Sequence, residues 1–241
     1  DVRAEEDALA APLGGCFQTA APPPTLVPHV TSARSAAVAG VLFSVLFTAS
    51  LVLLWTTVPE GGAHGSQWTV AGSGHLKTAA ALMPFAGIAF LWFIGVVRDG
   101  FAGVEDKFFS TVFLGAGLLF LAMVFATTSV GIGLAHSSTD VTDPGARAEV
   151  VAFATMALTA LGKTYALRMA AVFMISLATI WLKSGVMPHW LVWTTYVTAV
   201  VVLVAADTSV WLMLVFPVWV LLVSVMLLGR SGVIPLPDAI E

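Results

Sequence analysis

Residues 149–183, EVVAFATMALTALGKTYALRMAAVFMISLATIWLK, form a nearly continuous apolar run holding three basic residues, Lys163, Arg168 and Lys183. Within it, ALTALGKT (157–164) reads as A-x-x-x-x-G-K-T, a relaxed phosphate-binding P-loop. A true P-loop needs a strand feeding a glycine-rich turn, then a helix whose N-terminus faces the phosphate. Here the residues before Gly162 are helical in pattern, Gly162 is the one glycine, and no new helix start follows Leu161. No aspartate after an apolar strand is available for Mg²⁺. The match is coincidental, and no nucleotide site is expected.

Depth is the more informative property of this run. Lys163 precedes Lys183 by 20 residues, ~30 Å along a helix, which is about one hydrocarbon thickness. Arg168 lies 15 residues before Lys183, ~22 Å, in the outer third of such a span. Residues 149–162 then project outward or lie along the outer leaflet. The competing reading is two short spans with 162–168 as a basic turn, for seven spans in all. The single span is preferred because Lys163-Thr164-Tyr165-Ala166-Leu167-Arg168 contains no turn residue.

The remaining chain agrees with a membrane solvent. Of 241 residues, 59% are hydrophobic and 10% charged, against about 25% charged in soluble domains. Six long apolar stretches are expected as helices: about 35–58, 76–97, 108–135, 149–182, 190–206 and 209–228. A span needs about 20 apolar residues, so the fifth is short. Strand alternation is absent, which argues against a barrel. The fold expected is an all-α polytopic bundle of six transmembrane helices over 34–230, with no soluble domain. An acidic, then Pro-rich tail (1–33) and a short tail (231–241) flank it; the first cannot build a core by itself. Cys16 has no apolar stretch before it, only Glu5, Glu6 and Asp7 nearby, and reads as a small tail residue. It is the single cysteine, so neither disulfides nor a thiolate metal site is expected.

Charge orients the bundle. With the N-terminus inside, Arg3, Arg34, Arg98, Lys107, Lys183 and Arg230 fall inside, and Lys77 and Arg147 outside. The asymmetry follows the positive-inside rule and makes both termini cytoplasmic. Trp55 and Trp211 then mark the outer boundary and Trp181 and Trp190 the inner one, while Trp92 and Trp219 are expected to pack inside. The Ala/Val-rich, lysine-poor composition fits the plasma membrane of a high-GC bacterium. A net charge of −4 gives no basic patch for nucleic acid.

Arg168 is the sharpest functional candidate, since an ionisable group within a span is expensive. It either grips an anion or lipid headgroup, together with Lys163, or pairs with Asp207 in the short turn between the last two spans; the pair is the favoured reading. His64, His75 and His136 all fall at the outer face, near Asp140 and Asp143, and are metal-ligand candidates. No spacing holds two of them on one helix face, so exposed loop histidines are the plainer reading. No Asp or Glu enters any proposed span, which counts against a proton-coupled transporter. The glycine-rich stretch 61–74 follows a span rather than a strand and reads as a flexible outer loop, not a dinucleotide fingerprint. Ala36/Gly40, Gly87/Gly95, Gly115/Gly117 and Gly131/Gly133 offer close helix approach. No catalytic grouping and no cofactor are expected. The leading expectation is a non-catalytic integral membrane subunit or scaffold of a larger assembly, whose partners are lipid and other membrane subunits. The alternatives are a permease or lipid/anion-handling protein using Arg168 and Lys163, and a membrane enzyme with an outer-face histidine metal site.

Overall fold

The computed structural model describes residues 30–57, 67–99, 107–140, 143–185 and 187–230. Among these, the chain is all-helical without a strand. α1 spans Val30–Thr57, α2 Gln67–Asp99, α3 Lys107–Asp140, α4 Pro144–Thr159, α5 Leu167–Ser184, α6 His189–Ala205 and α7 Val215–Arg230. A π-helical turn, Ala160–Ala166, joins α4 to α5, and a 3₁₀ turn, Val210–Leu214, leads into α7. Residues 1–29, with Cys16, and 231–241 lie outside the described residues, while 30–33, expected in the first tail, begin α1.

Five helices are long and apolar enough to cross a membrane: 34–57, 74–99, 108–136, 144–184 and 211–229. α6 is shorter, at 17 residues. The segment Pro144–Ser184 is one unbroken helical rod of 41 residues. Thr159, Ala160, Ala166 and Leu167 all keep right-handed helical dihedrals, so no turn divides residues 162–168 and the two-short-spans alternative is corrected. Its start is written locally. Asp143 accepts from the Ala146 N–H at 2.7 Å, and Pro144 occupies the first helical turn, where its missing N–H costs nothing. Its end is set by Gly185, whose φ of 64° closes the helix as its N–H reaches the Trp181 carbonyl at 3.0 Å.

Expected and observed boundaries differ most at α2. Residues 67–74, expected as loop, are helical. The helix carries Gly72 and Gly74 despite a propensity deficit of about 1 kcal/mol per glycine. The 3₁₀ turn before α7 has a cause in Pro217. Proline cannot donate to the carbonyl four residues back and its ring crowds it, so the chain enters α7 through a tighter turn.

α1 packs on α2 and α7, α3 on α2 and α5, and α6 on α5. The centre is aromatic. Phe43, Phe47, Phe90, Phe113, Phe120, Phe173 and Phe216 are fully buried, and Phe90 lies 4.6 Å from Phe43, 5.3 Å from Phe173 and 5.5 Å from Phe120, centroid to centroid. Three buried hydroxyls close on their own helices: Ser44 donates to the Gly40 carbonyl, Thr128 to Val124 and Ser224 to Val220, while the buried Ser50 hydroxyl has no partner among the described residues. Between helices, Trp219 Nε1 donates to Thr195 Oγ1 at 3.0 Å, and Thr179 and Tyr196 hydroxyls meet at 2.7 Å.

Trp55 and Trp181, expected near the membrane boundaries, turn their indoles into the core. Trp92, expected inside, is 68% exposed. A boundary position along the axis does not say which way around the helix an indole points.

Candidate functional site

The π-helical turn of the long rod carries Lys163 and Thr164, and Arg168 follows two residues after it. In it the backbone bond pattern widens, so that the Leu167 N–H donates to the Gly162 carbonyl, five residues back. Such turns arise where one extra residue is accommodated in a helix, and they recur at functional sites. A side chain at Gly162 would stand 3.3 Å from Trp55 and 3.5 Å from Met213, so glycine here allows α1 and the 3₁₀ turn to close on the rod.

Four residues past Thr164, on the same helix face, stands Arg168. Its Nη2 donates to Asp207 Oδ2 at 2.9 Å, and its Nη1 donates to the Thr164 carbonyl at 3.0 Å. Thr164 Oγ1 donates to the other carboxylate oxygen, Asp207 Oδ1, at 2.9 Å. Asp207 lies in the three-residue turn after α6, so this cluster ties the α6–α7 connection to the long rod. The Thr164 hydroxyl, the Arg168 guanidinium and the charges of Arg168 and Lys163 hold the Asp207 carboxyl below its ordinary range. Both carboxylate oxygens are engaged, so Asp207 is an anchor rather than a free acid. Side-chain exposure is 34% for Arg168 and 59% for Asp207. Water therefore screens the pair, and its role is positional more than energetic.

A pH expectation follows. The folded carboxyl titrates below its unfolded counterpart, so the contribution of the cluster is complete above the unfolded value, about 3.9. It is lost only as pH falls through the lower folded value. Melting temperatures in detergent between pH 8 and pH 5 should therefore be the same for wild type and Asp207→Asn apart from a constant offset. That offset should shrink only in acid below the ordinary aspartate range.

Thr164 was not singled out by sequence reasoning; its place four residues before Arg168 was the available signal. Asp143, considered near the histidines, is spent on capping α4. His75 is exposed on α2. His136 is exposed on α3 with its Nδ1 3.1 Å from the Ile132 carbonyl. His64 lies outside the described residues, as does the Asp140 side chain. Among the described residues, no three His, Cys, Asp or Glu side chains converge as metal ligands.

Among the described residues, fold and site together define an all-helical bundle with five helices long and apolar enough to cross a membrane and an ion-paired anchor beside a π-helical turn. No family model, no curated protein and no solved structure matches this chain.

Proposed function

We propose that this chain is a non-catalytic integral membrane subunit, with six spans and both termini cytoplasmic, that holds a larger assembly together in a bacterial plasma membrane. The observation that carries the reading is the outward end of the long rod. α4 continues α5 past Lys163, and Phe153 lies 30 residues before Lys183, ~45 Å along the rod. This exceeds a hydrocarbon thickness of ~30 Å. Yet Phe153 is 71% and Met156 66% exposed, and Val150 adds to the same stripe. An apolar stripe past the end of the span is a surface for a protein neighbour. The short α6–α7 pair stops at Asp207, well below it, and leaves room for one.

The test is to isolate the tagged chain from its native membrane in mild detergent and weigh the intact complex. The reading expects a second polypeptide at fixed stoichiometry, released by Phe153→Asp while the melting temperature stays unchanged. A monomer carrying only lipid defeats it.

The bonds from Arg168 to Asp207 and to the Thr164 carbonyl favour this role over a permease that grips an anion. Arg168→Ala should lower the melting temperature modestly and leave bound anionic lipid in place. Arg168→Lys should recover part of the loss, since lysine keeps the charge but not the planar fork. Selective stripping of an anionic lipid by Arg168→Ala, with melting unchanged, would turn the assignment toward lipid or anion handling.

A further inference from the structure

α1 and α2 leave a groove of about 580 Å³ between them. One wall is Arg34, Val38 and Leu42, four residues apart on one face of α1. The other is Phe85, Ile88 and Trp92, at three- and four-residue spacing on one face of α2. The five apolar members are all at least half exposed, and Trp92 stands out furthest. Among the described residues, Arg34 is the one charged side chain lining the groove, and it stands where the apolar part of α1 begins.

A bare apolar groove on a lipid-facing surface would accept any chain. One cation in its lining selects a ligand that is negative at one end and apolar along its length. Guanidinium has five N–H donors, enough to hold a phosphate beside its existing contacts. Size argues in the same direction. The volume falls within the ~300–1,000 Å³ of small-molecule sites, which suits an acyl chain. A helix of a second copy, ~10–12 Å across with its side chains, would overfill it. We propose that the α1–α2 groove is a phospholipid site, with the phosphate on Arg34 and an acyl chain laid along Val38, Leu42, Phe85, Ile88 and Trp92.

The site stands apart from the α4 stripe, so it survives or fails independently of the assembly reading. Its test uses the full chain reconstituted in vesicles of equal parts phosphatidylethanolamine and phosphatidylglycerol, both of which carry the phosphate. Released into mild detergent, the wild-type protein should retain one phospholipid in its native mass spectrum. Arg34→Ala should cut retention by about tenfold, the order of one lost charge-assisted contact. Val38→Trp, at an exposed position, fills the groove and should also displace the lipid while leaving Arg34 in place. A photo-crosslinking residue at Leu42 should label lipid. Retention unchanged in both variants overturns the proposal. So does loss in Val38→Trp alone, because the phosphate would then not be held by Arg34. Crosslinking of Leu42 to the N-terminal segment of the chain or to a second copy overturns it as well. If Arg34→Ala fails to fold, Arg34→Gln, which keeps the stem, supplies the same comparison.

Discussion

Phe90→Ala should unfold the bundle roughly 5–10 °C below wild type in detergent. Phe90 is fully buried on α2 and meets five rings, those of Phe43, Phe93, Phe120, Phe173 and Phe216, from α1, α2, α3, α5 and α7. Phe→Ala in a water-soluble core costs about 3–5 kcal/mol, part of it transfer from water and part cavity. In lipid the transfer part fades, because hydrocarbon tails are as apolar as the ring. Lost dispersion and ring–ring contact remain, the latter about 0.5–1.5 kcal/mol per pair. A loss of about 2–3 kcal/mol is the resulting expectation. It should exceed the effect of Arg168→Ala, since the Arg168 pair is open to water and Phe90 is not. Phe85→Ala on the same helix, at a 63% exposed position, is the control and should change melting little. Equal shifts for the two variants would mean that the aromatic centre does not hold the helices together.

The second large effect belongs to Gly40→Ala. A Cβ at Gly40 would stand 1.9 Å from Ser224 Oγ, 2.9 Å from Phe93 Cδ2 and 3.1 Å from Ser224 Cβ. Real atoms do not approach so closely, so α1 and α7 must separate or the Ser224 hydroxyl must give up its 2.7 Å bond to the Val220 carbonyl. Overpacking of this kind costs typically 1–3 kcal/mol, and the short Ser224 side chain and the fully buried Phe93 ring have little room to give way. Ser224→Gly in the same chain removes both Ser224 contacts and should restore part of the loss, leaving only the Phe93 contact. The matching change at Gly95 meets open space and should be neutral, or stabilising by about 0.5–1 kcal/mol through helix propensity. Thermal melts of the four proteins decide the matter. No rescue in the double variant would sink the α1–α7 contact as the cause.

That two glycines of similar sequence setting should differ so much shows where legibility ends. Length, composition and the run 149–183 were enough to read helices, an apolar solvent and the breaks near Arg34, Arg98 and Lys183. The absence of turn residues across 163–168 was enough to read one rod instead of two, because breaking a helix needs local chemistry that is visible as residue type. Asp143-Pro144 and Gly185 likewise announce the ends of that rod through their own backbone preferences.

Facing was not legible. In a water-soluble helix the polar stripe marks the outside, so the core face can be read from the pattern. Here lipid and protein core are equally apolar, and the same Phe, Val or Trp suits either side. Only the packed structure decided that Phe90 faces five rings while Phe85 faces outward, and that Trp181 is buried while Trp92 lines a groove. It also decided that Gly40 is a contact and Gly95 is not. The meeting of Arg168, Thr164 and Asp207 follows the same rule. Their residue types set what bonds were possible, but a chain separation of about 40 residues carries no signal for which will form. The π-helical turn at 160–166 is tertiary too: its apolar residues would sit equally well in an α-helix, and close packing of Trp55 and Met213 on Gly162 is the contact that the wider turn accommodates.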